Sequence, residues 1–171
     1  STSCDIPHDE LIPLINGNTF TKFNTNNPHA EKRFVYLNEQ ATQIIRYKVS
    51  SKGNNAHKKI IDISDISGIY IGTAESDTYK GKCCSFYDEE KYLTIKTNNG
   101  FVLDLYHEQE DVIIYWYIIL RKLILKYKDE IMHKRESEIN EKEKTIKTLM
   151  NTIWKKEILV NWNYYRKYII Y

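Results

Sequence analysis

The sequence predicts a mainly β domain: seven short strands forming a sandwich or barrel, closed by one amphipathic helix and followed by a helical extension. Three observations predict it. First, Phe101–Leu123 changes period midway: Phe101, Leu103 and Leu105 alternate as in a half-buried strand, and apolar residues then recur at helical spacing. Second, the segments before it are short, apolar at period two and punctuated by turn residues, as in the Asn98-Asn99-Gly100 link that favours a hairpin. Third, Lys128–Lys147 mixes both charges without Gly or Pro, which keeps it helical.

In chain order, residues 1–11 are read as a leader, with a short helical turn over His8–Ile15, and Asn16-Gly17-Asn18 marks a turn. Strands are expected over Thr19–Phe23, Lys32–Leu37, Thr42–Lys48, Lys59–Ile63 and Ser67–Gly72, then Tyr92–Thr97 and Phe101–Tyr106. Asn24–Ala30, with Pro28, reads as a loop, as do Ser50–His57 and Thr73–Tyr87. Within the last of these, Cys83–Tyr87 could supply an irregular strand. His107–Asp111 places acidic charge at the positive end of the closing helix, whose core face is expected to hold Val112, Tyr115, Trp116, Ile119, Leu120, Leu123 and Ile124. The domain is bounded at residues 12–127, with 128–171 as the extension. Strands in this order give a small, nearly orthogonal sandwich, one corner of which the helix plugs.

At 171 residues, 42% hydrophobic and 28% charged, the chain can bury one core and little more. No apolar run reaches the length of about 20 residues needed to cross a bilayer. The chain starts at Ser1 without Met, so the native N-terminus is expected upstream. Cys4, Cys83 and Cys84 form a poor disulfide framework and point to a reducing, cytosolic compartment. The five histidines have no ligand spacing, and the cysteine pair lacks a base. With six glycines and no phosphate-binding glycine loop, nothing predicts catalysis, a metal or a cofactor. No nucleic-acid motif accompanies the mildly basic pI of about 8.3.

The net charge of +2 conceals a division. Between Phe20 and Ile60 stand eight basic residues and two acidic ones; between Ile61 and Asp111 stand eleven acidic and four basic. A domain so divided turns its basic end toward an anionic surface. In an antiparallel meander the end of strand one, the start of strand two and the end of strand three share a rim. Lys22, Lys32 with Arg33, and Arg46 with Lys48 occupy those places. Arg46 and Lys48 lie on one face because strand side chains alternate. Such a cup suits a phosphate-bearing headgroup, Arg as a bidentate fork and Lys as a point charge.

Four segments carry a family resemblance: Leu14–Lys22, Lys32–Leu37, Asp62–Ile69, and Leu103-Asp104-Leu105 before Trp116. In order and spacing they resemble the spine of pleckstrin-homology domains, nearest the phospholipase C type, over about Ile12 to Tyr127. The resemblance implies a capped β-sandwich that binds anionic lipid and has no catalytic residues. In the family's phosphoinositide signature a Lys on strand one precedes a basic residue, any residue and Arg at the start of strand two. Lys22 and Arg33 match, but Glu31 stands at the intermediate basic position, which argues against tight binding of polyphosphorylated inositides. That leaves room for a less charged headgroup such as phosphatidic acid, or for weak phosphoinositide binding aided by a second anchor. The Asn-, Lys-, Ile- and Tyr-rich composition suggests an AT-rich genome such as an apicomplexan's, and the layout is similar to acylated pleckstrin-homology proteins of those organisms.

The extension offers Ile131, Ile139, Ile146, Leu149 and Ile153 as an approximate seven-residue stripe that suits a coiled-coil seam. Ile153–Tyr171 is aromatic and amphipathic, and faintly resembles the approach to a Rab-GTPase-activating domain. The expected function is recruitment to the cytosolic face of a membrane through Lys22, Lys32, Arg33, Arg46 and Lys48, peripheral and without nucleic acid. The alternative is a protein-interaction scaffold in which 128–171 binds a partner or itself, within a Rab-GTPase-activating or phospholipase C-like parent.

Overall fold

A short helix, α1 (His8–Asn16), leads into the strands β1 (Asn18–Asn24), β2 (Asn27–Leu37), β3 (Gln43–Lys48), β4 (Lys59–Asp62), β5 (Ile66–Ile71), β6 (Tyr92–Thr97) and β7 (Val102–Tyr106), and α2 (Glu110–Arg166) closes the order. The structure is a computed structural model that describes residues 6–24, 27–49, 57–76 and 86–166. The seven strands form one antiparallel sheet in the order β4-β3-β2-β1-β7-β6-β5. Its two halves are joined where Thr21 of β1 pairs with Tyr106 of β7. The expected strands are all present, in a single open sheet with the expected closing helix.

One expected loop is strand. The Asn content of Asn24–Ala30 and its Pro28 predict a loop, whereas β2 begins at Asn27 and pairs back on β1 at Asn24↔Asn27. The register shifts between Lys22 and Asn24. Such an irregularity tolerates a residue that has no amide donor, so Pro28 does not end the strand. Phe86–Lys91 is a 3-10 turn, so Phe86 and Tyr87 are not part of an irregular strand. Cys83 and Cys84, like Cys4, lie outside the described residues.

Turn chemistry fixes two connections. Asn38 Oδ1 accepts the amides of Thr42 and Gln43, both at 2.8 Å, which holds the β2–β3 turn with Ala41 at φ 54°. Gly17, at φ 75°, links α1 to β1 where an added Cβ would stand 2.7 Å from Phe34 Cζ and from Val35 O. Only a residue without a side chain fits both the left-handed backbone and that approach.

The core follows strand alternation and helix period. Phe20, Val35, Leu37 and Ile44 face inward from β1–β3, and Leu93, Ile95, Leu103 and Leu105 from β6 and β7. From α2 come Ile113, Trp116, Ile119, Leu120, Leu123 and Ile124, and from α1 Leu11 and Leu14. Each such side chain contributes roughly 1.5–3 kcal/mol on burial. The helix phase agrees with the sequence, except that Ile113 is fully buried while Val112 and Tyr115 are only half-buried. Trp116 meets Phe20 edge to face at 5.4 Å, and its indole N–H donates to Asn18 Oδ1 at 2.9 Å. The buried Asp104 carboxylate accepts from Ser76 Oγ at 2.6 Å and Thr94 Oγ1 at 2.9 Å, so it is not an orphan charge.

By their contacts the residues form two compact units, Ser1–Lys128 and Asp129–Tyr171. Among the described residues, no helix is long and apolar enough to cross a membrane.

Candidate functional site

The inner face of the sheet turns from apolar to basic at one end of the β1–β4 half. Along β2, Leu37 and Val35 are buried, and the same face continues through Arg33 to Glu31. Along β3, Ile44 is followed on that face by Arg46 and Lys48; along β4, Ile61 shares its face with Lys59. Strand register sets these residues beside one another. Lys22 faces Glu31, Arg33 faces Lys48, and Arg46 lies between Val35 and Lys59. Alternation plus register therefore collects Lys22, Arg33, Arg46, Lys48 and Lys59 on one patch of the inner face, with Glu31 as its only carboxylate on these strands.

The charges are not independent. Glu31 pairs with Arg33 and, at 2.8 Å, with Lys48. The hydrogen bond from Lys48 is the main reason the Glu31 carboxyl sits below its ordinary value; the Arg33 charge adds to this and desolvation opposes it. The Lys22 ammonium is held below the usual lysine range, first by burial and then by the charges of Arg46, Arg33 and Lys59. Arg46 is lowered in the same sense by burial and then by Arg33, though a guanidinium stays protonated regardless.

Arg46 is the centre of the patch. It is 5% exposed, and its Nε has no hydrogen-bond partner among the described residues; nor has that of Arg33. Its guanidinium lies 4.9 Å from the ring centroid of Phe101, at the β6–β7 turn. Among the described residues no carboxylate pairs with it. It opens onto a cavity of about 410 Å³ whose wall includes Lys59, Asp62, Asp65, Thr97, Asn99 and Phe101. A buried cation with an unused donor, beside Lys59 and a space of that size, has the chemistry to take an anion, with Asp62 and Asp65 on the wall opposing it.

Of the five residues expected from sequence, Lys22, Arg33, Arg46 and Lys48 share this face. Lys32 does not. It pairs with Thr21 on the other face of β2, where its ammonium donates to Thr21 Oγ1 at 2.9 Å. Lys59 and Phe101 also stand beside Arg46, and neither is among the five residues the sequence singles out. Lys59 had been counted in the basic block, and pairing strand four on strand three would have placed it opposite Arg46. Phe101 gave no such signal, because its contact depends on how the two halves of the sheet fold over each other. Among the described residues, no group of three or more His, Cys, Asp or Glu is placed to hold a metal ion.

No family model matches the chain, and no curated protein does. Solved structures do match. Inner membrane complex sub-compartment protein 1 of Toxoplasma gondii is 15% identical with a TM-score of 0.52, over 68% of this chain and 89% of that one. PLC21 of L. pealei is 11% identical with a TM-score of 0.50, over 65% of this chain but only 15% of that one. The PH domain from TgAPH aligns with 73% of this chain and 97% of its own, at 14% identity and a TM-score of 0.48. Identities this low speak to fold alone. The fold is of the pleckstrin-homology type: seven antiparallel strands in one open sheet with a C-terminal helix.

Proposed function

We propose that this chain is a binding module rather than an enzyme, and that it holds its parent protein at an anionic, cytosolic membrane face. Lys22, Arg33, Arg46, Lys48 and Lys59 receive the phosphate of a lipid headgroup, while Lys32 adds only to the surrounding field. The observation that carries this reading is Arg46: a residue 5% exposed, its Nε unpartnered among the described residues, opening onto a cavity beside Lys59. A purely structural arginine in that position would be expected to have a carboxylate or carbonyl within reach. The pleckstrin-homology fold supports the reading as a lipid- or protein-binding scaffold.

Glu31 favours a headgroup with one phosphate. It already engages Arg33 and Lys48, so a polyphosphorylated inositide would have to compete with it for two of the five cations. Phosphatidic acid asks only for what remains around Arg46. The test is flotation with liposomes containing phosphatidic acid, a phosphoinositide or neutral lipid alone. Lys22→Glu with Arg33→Glu should lower binding on the order of a hundredfold, since each cation near an anionic surface contributes about 1 kcal/mol and reversal adds repulsion. Unchanged flotation of the double variant, with an intact melt, would sink the assignment.

A further inference from the structure

The second unit, Asp129–Tyr171, carries an apolar column that nothing in the headgroup reading uses. Met132, Ile139, Ile146, Ile153 and Val160 recur at intervals of seven along the helix, and they are between 55% and 67% exposed. A seven-residue repeat keeps such a column on one side of a helix that winds gently around a partner. The flanks of the column are sorted by charge. Three residues after each of the first four apolar positions stand Arg135, Lys142, Leu149 and Lys156; four residues after stand Glu136, Glu143, Met150 and Glu157. One edge of the column is basic and the other acidic, except in the middle, where Leu149 and Met150 widen it between Ile146 and Ile153. Past Ile153 other faces also carry apolar residues, Trp154 and Trp162 among them, but this column is the one that runs the whole length.

That arrangement names its own partner. If two such helices meet column to column and run parallel, the two-fold axis brings the basic edge of each against the acidic edge of the other. In register, Arg135 lies about 1.5 Å along the axis from the level of the partner's Glu136, and the same holds for Lys142 with the partner's Glu143 and Lys156 with the partner's Glu157. An antiparallel pair would instead set basic against basic and acidic against acidic. Ile or Val at four of the five column positions suits the a layers of a two-stranded parallel seam; at the d positions that follow, Leu149 is the one apolar residue, and the stems of Arg135, Lys142 and Lys156 cover the edge elsewhere. Slipping the pair by one heptad would lay Leu149 and Met150 against charged edges, so the central apolar layer fixes the register. A solvated helix with no packed face is of marginal stability alone, which gives the column reason to be covered. We infer that residues 129–163 pair, parallel and in register, with the same segment of a second copy of this chain. The inference is independent of the headgroup site.

The test uses the whole 171-residue chain. In sedimentation equilibrium the average mass should rise with concentration from 20.4 kDa toward twice that value. One variant, Arg135→Glu with Lys142→Glu and Lys156→Glu, makes both edges acidic; a second, Glu136→Lys with Glu143→Lys and Glu157→Lys, makes both basic. Each alone should stay at the mass of one chain, and an equimolar mixture should recover the double mass. Thermal melts of the first unit should be unchanged in both, which separates loss of pairing from loss of fold. A wild-type mass that stays at one chain up to the limit of dispersal overturns the proposal. So does a wild-type dimer that neither variant weakens, because an antiparallel pair already sets like charges together. Vesicle binding lost through Ile146→Asn in a chain that is monomeric throughout would make the column a membrane face instead, and equally overturn it.

Discussion

Replacing Arg46 with Met separates a binding arginine from a structural one, because the two roles predict opposite effects on stability. The side chain is 5% exposed, no carboxylate among the described residues pairs with it, and the Arg33 charge lies close enough to perturb it. Burying an unpaired charge costs several kcal/mol, and an apolar residue of similar volume in such a place is commonly neutral or stabilising by about 1–4 kcal/mol. Against that stands the loss of the contact with Phe101, about 0.5–2 kcal/mol for a cation over a ring. The net expectation is a melting temperature unchanged or raised. Binding should move the other way. A charge-assisted hydrogen bond to phosphate is worth about 1.5–3 kcal/mol, so its removal should weaken binding roughly 10- to 150-fold. The assay pairs thermal melts, with and without inorganic phosphate, with flotation on vesicles containing phosphatidic acid. Wild type should gain stability from phosphate and Arg46→Met should not. If Arg46→Met lowered the melting temperature substantially and floated as wild type does, Arg46 would be a structural residue and the site would lie elsewhere.

Two further substitutions examine the frame and the selectivity of the cup. Trp116→Ala should destabilise the first unit by roughly 3–5 kcal/mol, because it empties a fully buried site and strands the Asn18 acceptor; a melt like that of wild type would contradict the helix packing. Glu31→Gln removes the charge that engages Arg33 and Lys48, and should strengthen binding to polyphosphoinositide vesicles more than to phosphatidic acid. Equal gains on both, or none, would show that Glu31 does not set the preference.

The sequence carried the fold because local periods and turn residues agree with the tertiary arrangement nearly everywhere. The break in period between Leu105 and Val112 located the junction of β7 and α2, and Asn98-Asn99-Gly100 located the last hairpin, with Gly100 at φ 82°. The start of β2 was not legible, since Pro28 and its Asn neighbours are turn residues by local preference and only pairing with β1 keeps them extended. The cup was legible where it depends on alternation within a strand, as for Arg46 and Lys48. It is less legible where adjacent residues point oppositely: the sequence sets Lys32 beside Arg33, yet the two lie on different faces. Lys59 needed the pairing of β4 on β3, and Phe101 needed the closure of the sheet, neither of which is a property of a sequence window.

The cup's character rests on the balance between its cations and Glu31. Four or five positive groups on one face repel one another, and the depressed Lys22 ammonium registers that repulsion together with its burial. Glu31 relieves part of it at the outer edge, where Arg33 and Lys48 are, but does not reach Arg46. Toward the cavity Arg46 stands beside Lys59, and the carboxylates on that wall are Asp62 and Asp65. On the proposed reading an anion that pairs with Arg46 would also relieve part of the repulsion felt by Lys22. A second or third phosphate would gain only the edge cations, and only by displacing Glu31 from them, an exchange of one anion for another. On the proposed reading such a site would discriminate by depth, rewarding the first phosphate more than later ones, as a reader of singly phosphorylated lipid should.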